Sequence, residues 1–259
     1  MVRITLSLEK SIEQNASEYF EKAKKARTKS LRTKEALLKS EKKLEGLSKK
    51  KPVMQEVILK KPIKKEWYEK FRWFISSEDF LVIGGRDATT NEIVIKKHTD
   101  KEDIVFHTDM AGSPFFVIKT KGRKPAKATI QETANATACY SRAWKMGMAT
   151  TNVFHVKPEQ VTKSAQAGEF LARGSFMIRG KTTYIVPEMK CAVGIRDNQI
   201  IGGPVDAVKK NSDNHVIVVQ GEKKPSDAAK LIKKVLGSGE LDEIIRFLPP
   251  GNCKVEKGR

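Results

Sequence analysis

At 259 residues the chain can bury a core without disulfide staples, and its three cysteines, Cys139, Cys191 and Cys253, are too few and too far apart for a disulfide framework or CxxC chemistry. The opening MVRITLSLEKSIEQ has no apolar stretch of the signal-peptide kind, and no run approaches the ~18 apolar residues of a membrane span, so a cytoplasmic protein is expected. The formal net charge is +19, with 20 basic against 10 acidic residues in positions 1–70 and 30 against 21 beyond, which points to a polyanionic partner.

Nucleic acid fits that charge better than a membrane surface, because no basic amphipathic helix with a strong apolar face accompanies it. A charged solubility surface would produce the same balance. Residues 1–65 read as a basic helical arm. Small or apolar residues recur in steps of four and three from Ile12 through Ala16, Tyr19, Ala23, Ala26, Ser30, Thr33, Leu37, Ser40 and Leu44 to Leu47, a heptad seam. Ser11 with Glu13 and Gln14 marks the start, and Gly46 with Lys49–Lys51 and Pro52 the stop. At 1.5 Å per residue the helix reaches roughly 50–60 Å. Its middle is poor in apolar area, and the returning helix expected at Ile63–Phe74 is too short to cover it, so pairing of residues 12–47 with a second copy is expected; a solvated, fraying helix is the alternative. Within the return, Trp67, Phe71 and Phe74 fall at helical spacing and anchor on a core, unless the aromatics interleaved with Lys70 and Arg72 serve as a base-stacking platform.

Residues 66–195 contain short apolar runs at Phe80–Ile83, Ile93–Ile95, Ile104–Phe106 and Phe115–Ile118, read as a four-strand antiparallel meander. Arg86, Asp87, Lys96, Lys97, His98, His107 and Asp109 then fall at strand ends or in connections, where a sheet presents polar groups to a ligand. Gly84-Gly85 lacks the Walker lysine and the GxGxxG spacing, and Arg86-Asp87 is either a phosphate-binding fork or a structural pair. His107 and Asp109 share a face if the strand persists, which would suit a general base or a satisfied hydrogen-bonded pair; no nucleophile motif, metal constellation or cofactor motif accompanies them. Pro125–Met146 reads as a helix ended by Gly147 with a flat face at Ile130, Ala134, Thr137 and Ser141, and Asn152–Val156 as a fifth strand.

Ser175–Ile178 and Thr182–Val186 alternate like strands paired across Arg179-Gly180-Lys181. Lys163, Arg173, Arg179 and Lys181 would join Lys96 and Lys97 in one phosphate-binding cluster if the sheet brings these ends together; four independent exposed cations are the alternative. In residues 196–259, Cys191–Ile195 and Ile200–Gly203 pair across Asp197-Asn198, Pro204–Lys209 is a short helix, His215–Val219 a buried strand, and Ser226 caps a helix closed by Gly237. LDEIIRFLPPG adds a last short helix.

The order RWF, SSEDFLVIGGRDATTNE, IVIKKH, DIVFHTDMAGSPFFVIK, followed by TKSAQAGEFLARGSFMIRGK, closely resembles the RNA-binding domain of the NFACT family, ribosome-associated quality-control factors related to fibronectin-binding protein A. The likeness is strong over about 66–195; NASEYFEKAKKAR is similar to the start of the outgoing helix of the family's helical arm, and the tail is similar to that of archaeal members. The resemblance implies an RNA-binding protein whose partners are tRNA and the rRNA of the large ribosomal subunit, acting on stalled nascent chains. Complete members extend such chains with alanine, or alanine and threonine; their N-terminal domain has no counterpart here, so that activity is not expected of this chain. The fold expected is α+β: a largely antiparallel sheet with a packed helix, a long coiled-coil arm before it and a small α/β extension after it. The rival functions are an RNA-modifying enzyme using His107 and Asp109, and a DNA- or polyanion-binding coiled-coil adaptor.

Overall fold

A computed structural model describes residues 4–48, 66–164 and 172–258 of the chain, which divides into two compact units, residues 1–63 and 64–259. In the first, α1 (Ile12–Ser48) bears out the long helix. Its start is a capping box: Ser11 Oγ accepts from the Gln14 N–H at 3.2 Å while Gln14 Oε1 accepts from the Ser11 N–H at 3.0 Å. Buried Asn15 fastens the preceding segment to the helix, donating to the Ser7, Lys10 and Ser11 carbonyls and accepting from the Ser7 N–H. Tyr19, a seam residue, gives its hydroxyl to the Thr5 carbonyl at 2.6 Å. Leu44 and Leu47 fall beyond the described side chains, and Lys49–Lys51, Pro52, Pro62 and the first part of the expected return helix lie outside the described residues.

The second unit opens differently from the expected helix. Trp67–Lys70 form one 3-10 turn, and the chain then extends as β1 (Arg72–Ile75), so Phe71 and Phe74 are buried from opposite sides of a strand. After β2 (Leu81–Gly84) comes α2 (Ala88–Lys97), then β3 (Ile104–Thr108) and β4 (Phe116–Lys119). Ile93–Ile95 are therefore helical, and the four-strand meander is overturned. The order β1-β2-β4-β3 inserts β4 between β2 and β3, and β5 (Val153–Val156) follows as the expected fifth strand. Between β4 and β5 the single expected helix is broken at Tyr140-Ser141 into α3 (Lys127–Cys139) and α4 (Arg142–Lys145), the latter capped by Ser141 Oγ on the Ala143 N–H at 3.1 Å.

Both faces of this sheet are covered, which is why its central strands read as unbroken apolar runs rather than alternating ones. Val82, Phe106, Phe116 and Ile118 belong to the core cluster that contains the buried residues of α3; Ile83, Val105 and Val117 belong to the one that contains Val94 of α2. Each of these fully buried side chains contributes about 1.5–3 kcal/mol. α3 touches β3, β4 and β5 as well as a strand of the C-terminal sheet, so nearly all its faces are buried and small Ala and Thr residues are required. Thr133 and Thr137 satisfy their hydroxyls on the carbonyls four residues back, each at 2.7 Å.

β6 (Val161–Thr162) pairs with β7 (Met177–Ile178), whereas β8 (Thr183–Ile185) pairs with β5 at the sheet's edge. The expected hairpin across Arg179-Gly180-Lys181 does not form, because each arm finds a different partner. β9 (Lys190–Arg196) and β10 (Gln199–Gly203) do form the expected hairpin; Asp197 and Asn198 adopt φ of +47° and +66°, as a two-residue turn matching strand twist requires. α5 (Val205–Asn211), β11 (Asn214–Lys223), α6 (Pro225–Leu236), α7 (Leu241–Phe247) and the unforeseen β12 (Cys253–Lys257) complete a four-stranded sheet of order β10-β9-β11-β12. Gly237 ends α6 as expected, but the cap position is Lys224 rather than Ser226. The result is α+β with antiparallel sheets and a helical arm. Among the described residues no helix is long and apolar enough to cross a membrane.

Candidate nucleic-acid interface

Two groups of cations border α2. At the start of that helix, Asp87 is the cap, accepting from the Thr90 N–H at 2.8 Å, and the Thr90 hydroxyl in turn accepts from the Arg86 and Asp87 N–H groups. The Thr90 bonds hold the Asp87 carboxyl below its ordinary range, and Arg173 lowers it further. Asp87 thus has a structural task, and the Arg86-Asp87 pair is not a mutual fork. Arg86 donates from Nη2 to the Phe71 carbonyl at 3.0 Å, while its buried Nε has no partner among the described residues.

The segment Arg173–Phe176 closes over this helix start. Gly174 sits at φ +78° with its Cα so close to Ala88 that an added Cβ would lie 2.5 Å from that residue's carbonyl oxygen, and its N–H donates to Glu92 at 3.2 Å. Arg72, Arg86 and Arg173, with Tyr140, Phe115, Phe176 and the Ala111–Pro114 loop, enclose a cleft of about 340 Å³. Asn91 ties that loop down, accepting from the Phe115 N–H at 3.1 Å.

His107 lines the same cleft but is no general base toward Asp109. Its Nε2 lies 3.1 Å from the Ser113 carbonyl and its ring stacks on Phe115 at 4.1 Å, and burial lowers its pKa despite the Ser113 bond. β3 stops at Thr108, so Asp109 leaves the strand and accepts from the Tyr184 hydroxyl at 3.0 Å instead. The expected shared face does not exist.

The second group is more exposed. Glu92, projecting from the middle of α2, meets Lys96 at 2.6 Å and Lys163 at 3.4 Å. The Lys96 bond, the Gly174 N–H and the Lys163 charge hold its carboxyl down to about 2. Lys163 also donates to the Ala172 carbonyl, and Arg179 to the Ser164 carbonyl at 3.3 Å. Gln160 Nε2 donates to the carbonyls of both Arg179 and Lys181, fixing the turn that carries them. Lys96, Lys163 and Arg173 thus converge through Glu92 and Gly174, and Arg179 and Lys181 are held on the adjoining turn between β7 and β8. Lys97 is exposed at the far end of α2. His98 lies beyond it, stacked on Trp67 at 4.6 Å and lowered in pKa by burial and by Lys70. Residues 165–171 of the second motif lie outside the described residues.

Arg72, Tyr140 and Phe176 were not singled out from sequence as site residues. Arg72 had a signal: read as a strand, RWFI puts it on the face of Phe74, where a cation is unexpected. Its guanidinium lies 4.2 Å from the centre of the Tyr140 ring, and Tyr140 donates to the Phe247 carbonyl at 2.6 Å. Among the described residues no group of three or more His, Cys, Asp or Glu is placed to hold a metal ion.

Residues 70–180 match the model of the NFACT protein RNA binding domain. Over 201 residues the chain is 41% identical to the Archaeal Rqc2 homolog aRqcH of Methanocaldococcus jannaschii, which covers 75% of this chain and 30% of that protein. Over 125 residues it is 44% identical to the Ribosome quality control complex subunit NEMF of Homo sapiens, covering 48% and 12%. The chain therefore spans under a third of the length of these relatives. Among solved structures, the C-terminal part of the fibronectin/fibrinogen-binding protein of Streptococcus suis aligns with 50% of this chain and 49% of that one at 18% identity and a TM-score of 0.39, too slight a likeness to argue from.

Proposed function

The chain is an NFACT-family protein through the RNA-binding domain of residues 70–180, and from that premise we propose that it binds RNA as a cytoplasmic factor of ribosome-associated quality control, with tRNA and the rRNA of the large subunit as ligands. The observation that carries the reading is the meeting of cations from three separate segments, α2, residues 160–164 and residues 172–181, around one helix. Independent solubility charges would not be tied to one another through shared carbonyl and carboxylate contacts. Glu92, the carboxylate among them, is already neutralised by Lys96 and Lys163.

The test is binding of tRNA and of duplex DNA of equal charge across a salt series. Counterion release is common to both ligands, so only shape and 2′-OH contacts make tRNA the tighter. Replacing Lys96, Lys163, Arg179 and Lys181 together by Ala should weaken tRNA binding about tenfold or more and flatten the salt slope by roughly one per lost phosphate contact. Equal affinity for DNA and tRNA would make the chain a general polyanion binder. Unchanged tRNA binding by the fourfold variant would move the RNA surface elsewhere.

We further propose that α1 pairs with a second copy. Supporting this, Ile12 and Leu37 on its seam are 82% and 60% exposed.

A further inference from the structure

The arginine-lined cleft is built unlike an ordinary charged surface. The Arg72 guanidinium makes no hydrogen bond or ion pair among the described residues and lies partly buried against Tyr140. Arg86 spends one nitrogen on the Phe71 carbonyl and keeps Nε buried and, among the described residues, unpartnered. Arg173 stands exposed at the opposite lip. Among the described residues Asp87 is the one carboxylate lining the cleft, and its Oδ1 is committed to the Thr90 N–H and hydroxyl. Three guanidiniums, two partly buried and one at the lip, therefore line a cleft with a single carboxylate among the described residues, one of whose oxygens is committed to capping α2. Burial lowers the pKa of Arg72 and Arg86, and Arg246 beside Arg86 adds to the repulsion. A concentration of positive charge held away from water is costly unless an anion completes it.

The walls are rigid. Gly85 cannot carry a side chain, since a Cβ there would lie 1.8 Å from Asn91 Oδ1, and one at Gly174 would lie 2.5 Å from the Ala88 carbonyl oxygen. These two contacts hold the Arg86 and Arg173 backbones against the first turn of α2, whose dipole also favours an anion. The volume of about 340 Å³ falls within the ~300–1,000 Å³ of small-ligand sites and exceeds what a phosphate alone would fill. Phe176, half-buried and set edge-on at 5.5 Å to the buried Phe115 ring, provides an aromatic surface beside the charged one.

We propose that this cleft receives one nucleotide of a bound RNA, its phosphate held by Arg72, Arg86 and Arg173 and its sugar or base lying against Phe176. The proposal rests on the RNA-binding reading and deepens it: the exposed cations of α2 and the β7–β8 turn attract the backbone, and the cleft takes a single phosphate-bearing unit out of the strand. The phosphate is either an internal phosphodiester or a terminal monoester.

The experiment is calorimetric titration of the full chain with AMP, adenosine, inorganic phosphate, and a tetraribonucleotide carrying a 5′-phosphate, a 3′-phosphate or neither. AMP is expected to bind and adenosine not. Arg173→Ala, which lies at the exposed lip, should weaken AMP binding about tenfold or more while leaving the unfolding midpoint in place, and Arg86→Lys, which keeps the charge but loses the guanidinium fork and its bond to the Phe71 carbonyl, should weaken it as much with a small fall in the midpoint. Preference for one phosphorylated tetramer identifies a terminal phosphate, and equal binding of all three an internal one. No binding of AMP or of any tetramer up to millimolar concentration overturns the proposal, as does binding that neither substitution changes. A wild-type chain that binds tRNA but no AMP or tetramer loses the pocket and keeps the RNA-binding function; one that binds AMP through these arginines but not tRNA keeps the pocket and loses that function.

Discussion

Lys119 is a buried ammonium in β4, and its surroundings explain why it is tolerated. It bonds Asp103, itself 2% exposed, and also Asp100 at 2.7 Å and the His98 carbonyl at 2.8 Å, so every ammonium proton has an acceptor. Asp103 is satisfied in turn by the N–H groups of Asp100 and Thr120. Lys119→Met should cost about 3–5 kcal/mol, because it strands a buried carboxylate, and urea unfolding would measure it. Glu132 is the opposite case. It is buried on α3, accepts from the Ser77 N–H at 2.9 Å, and has its other oxygen unpartnered among the described residues; burial raises its pKa, with smaller contributions from Asp206 and Glu78. A raised carboxyl pKa means the fold prefers the protonated form. The stability linked to Glu132 is then fully present below its ordinary value of 4.5 and is lost as pH rises through the raised one. Glu132→Gln should therefore gain over wild type in urea midpoint as pH increases from that value, and the gap should close in more acid solution. Neither residue was legible in sequence, since a lone Lys ending an apolar strand or a lone Glu in a helix reads as exposed until the second layer is known. The arginine and lysine residues of the candidate interface were legible as types, because charge at loops needs no tertiary information. Arg72 was missed for one reason: its segment was assigned to the wrong period.

At the scale of elements, local chemistry was readable where turn residues dominate and misleading where β-branched residues do. The β9–β10 hairpin followed from Asp197-Asn198, which tolerate positive φ, and α6 was closed by Gly237 as expected. For α2, the run Ile93, Val94 and Ile95 has strand propensity, yet the Asp87–Thr90 capping box and the burial of Val94 against Ile83 and Val117 overrule it. The β7 and β8 segments alternate like a hairpin, but β5 and β6 were available as partners, and only the assembled sheet decides that competition. Because α2 depends on its cap more than on propensity, Asp87→Ala should cost about 1 kcal/mol of global stability. It should also speed hydrogen exchange in the first turn of α2 more than in β2 or β4, a comparison that separates local fraying from general destabilisation.

At the scale of the whole molecule, the two proposed associations respond to salt with opposite signs. RNA binding replaces counterions on the phosphates with lysine and arginine, so it must weaken as salt rises. Pairing of α1 with a second copy brings two basic helices together: positions 1–70 hold 20 basic against 10 acidic residues, and the apolar residues exposed on α1 include Ile12 and Leu37 but little in the middle of the seam. The repulsion between such helices is screened within a Debye length of about 8 Å at physiological ionic strength, while burial of the seam is insensitive to salt. Self-association must therefore strengthen as salt rises. Sedimentation equilibrium at protein concentrations on the order of tens of micromolar should show a dimer fraction that grows from low to high salt, and Leu37→Asp should abolish it by placing a charge in the apolar seam. A monomer at every salt concentration would remove the pairing. A dimer that dissociates with salt, and is indifferent to Leu37→Asp, would instead be held by ion pairs, and the heptad seam would then be a solvated face of an arm whose partner is the RNA itself.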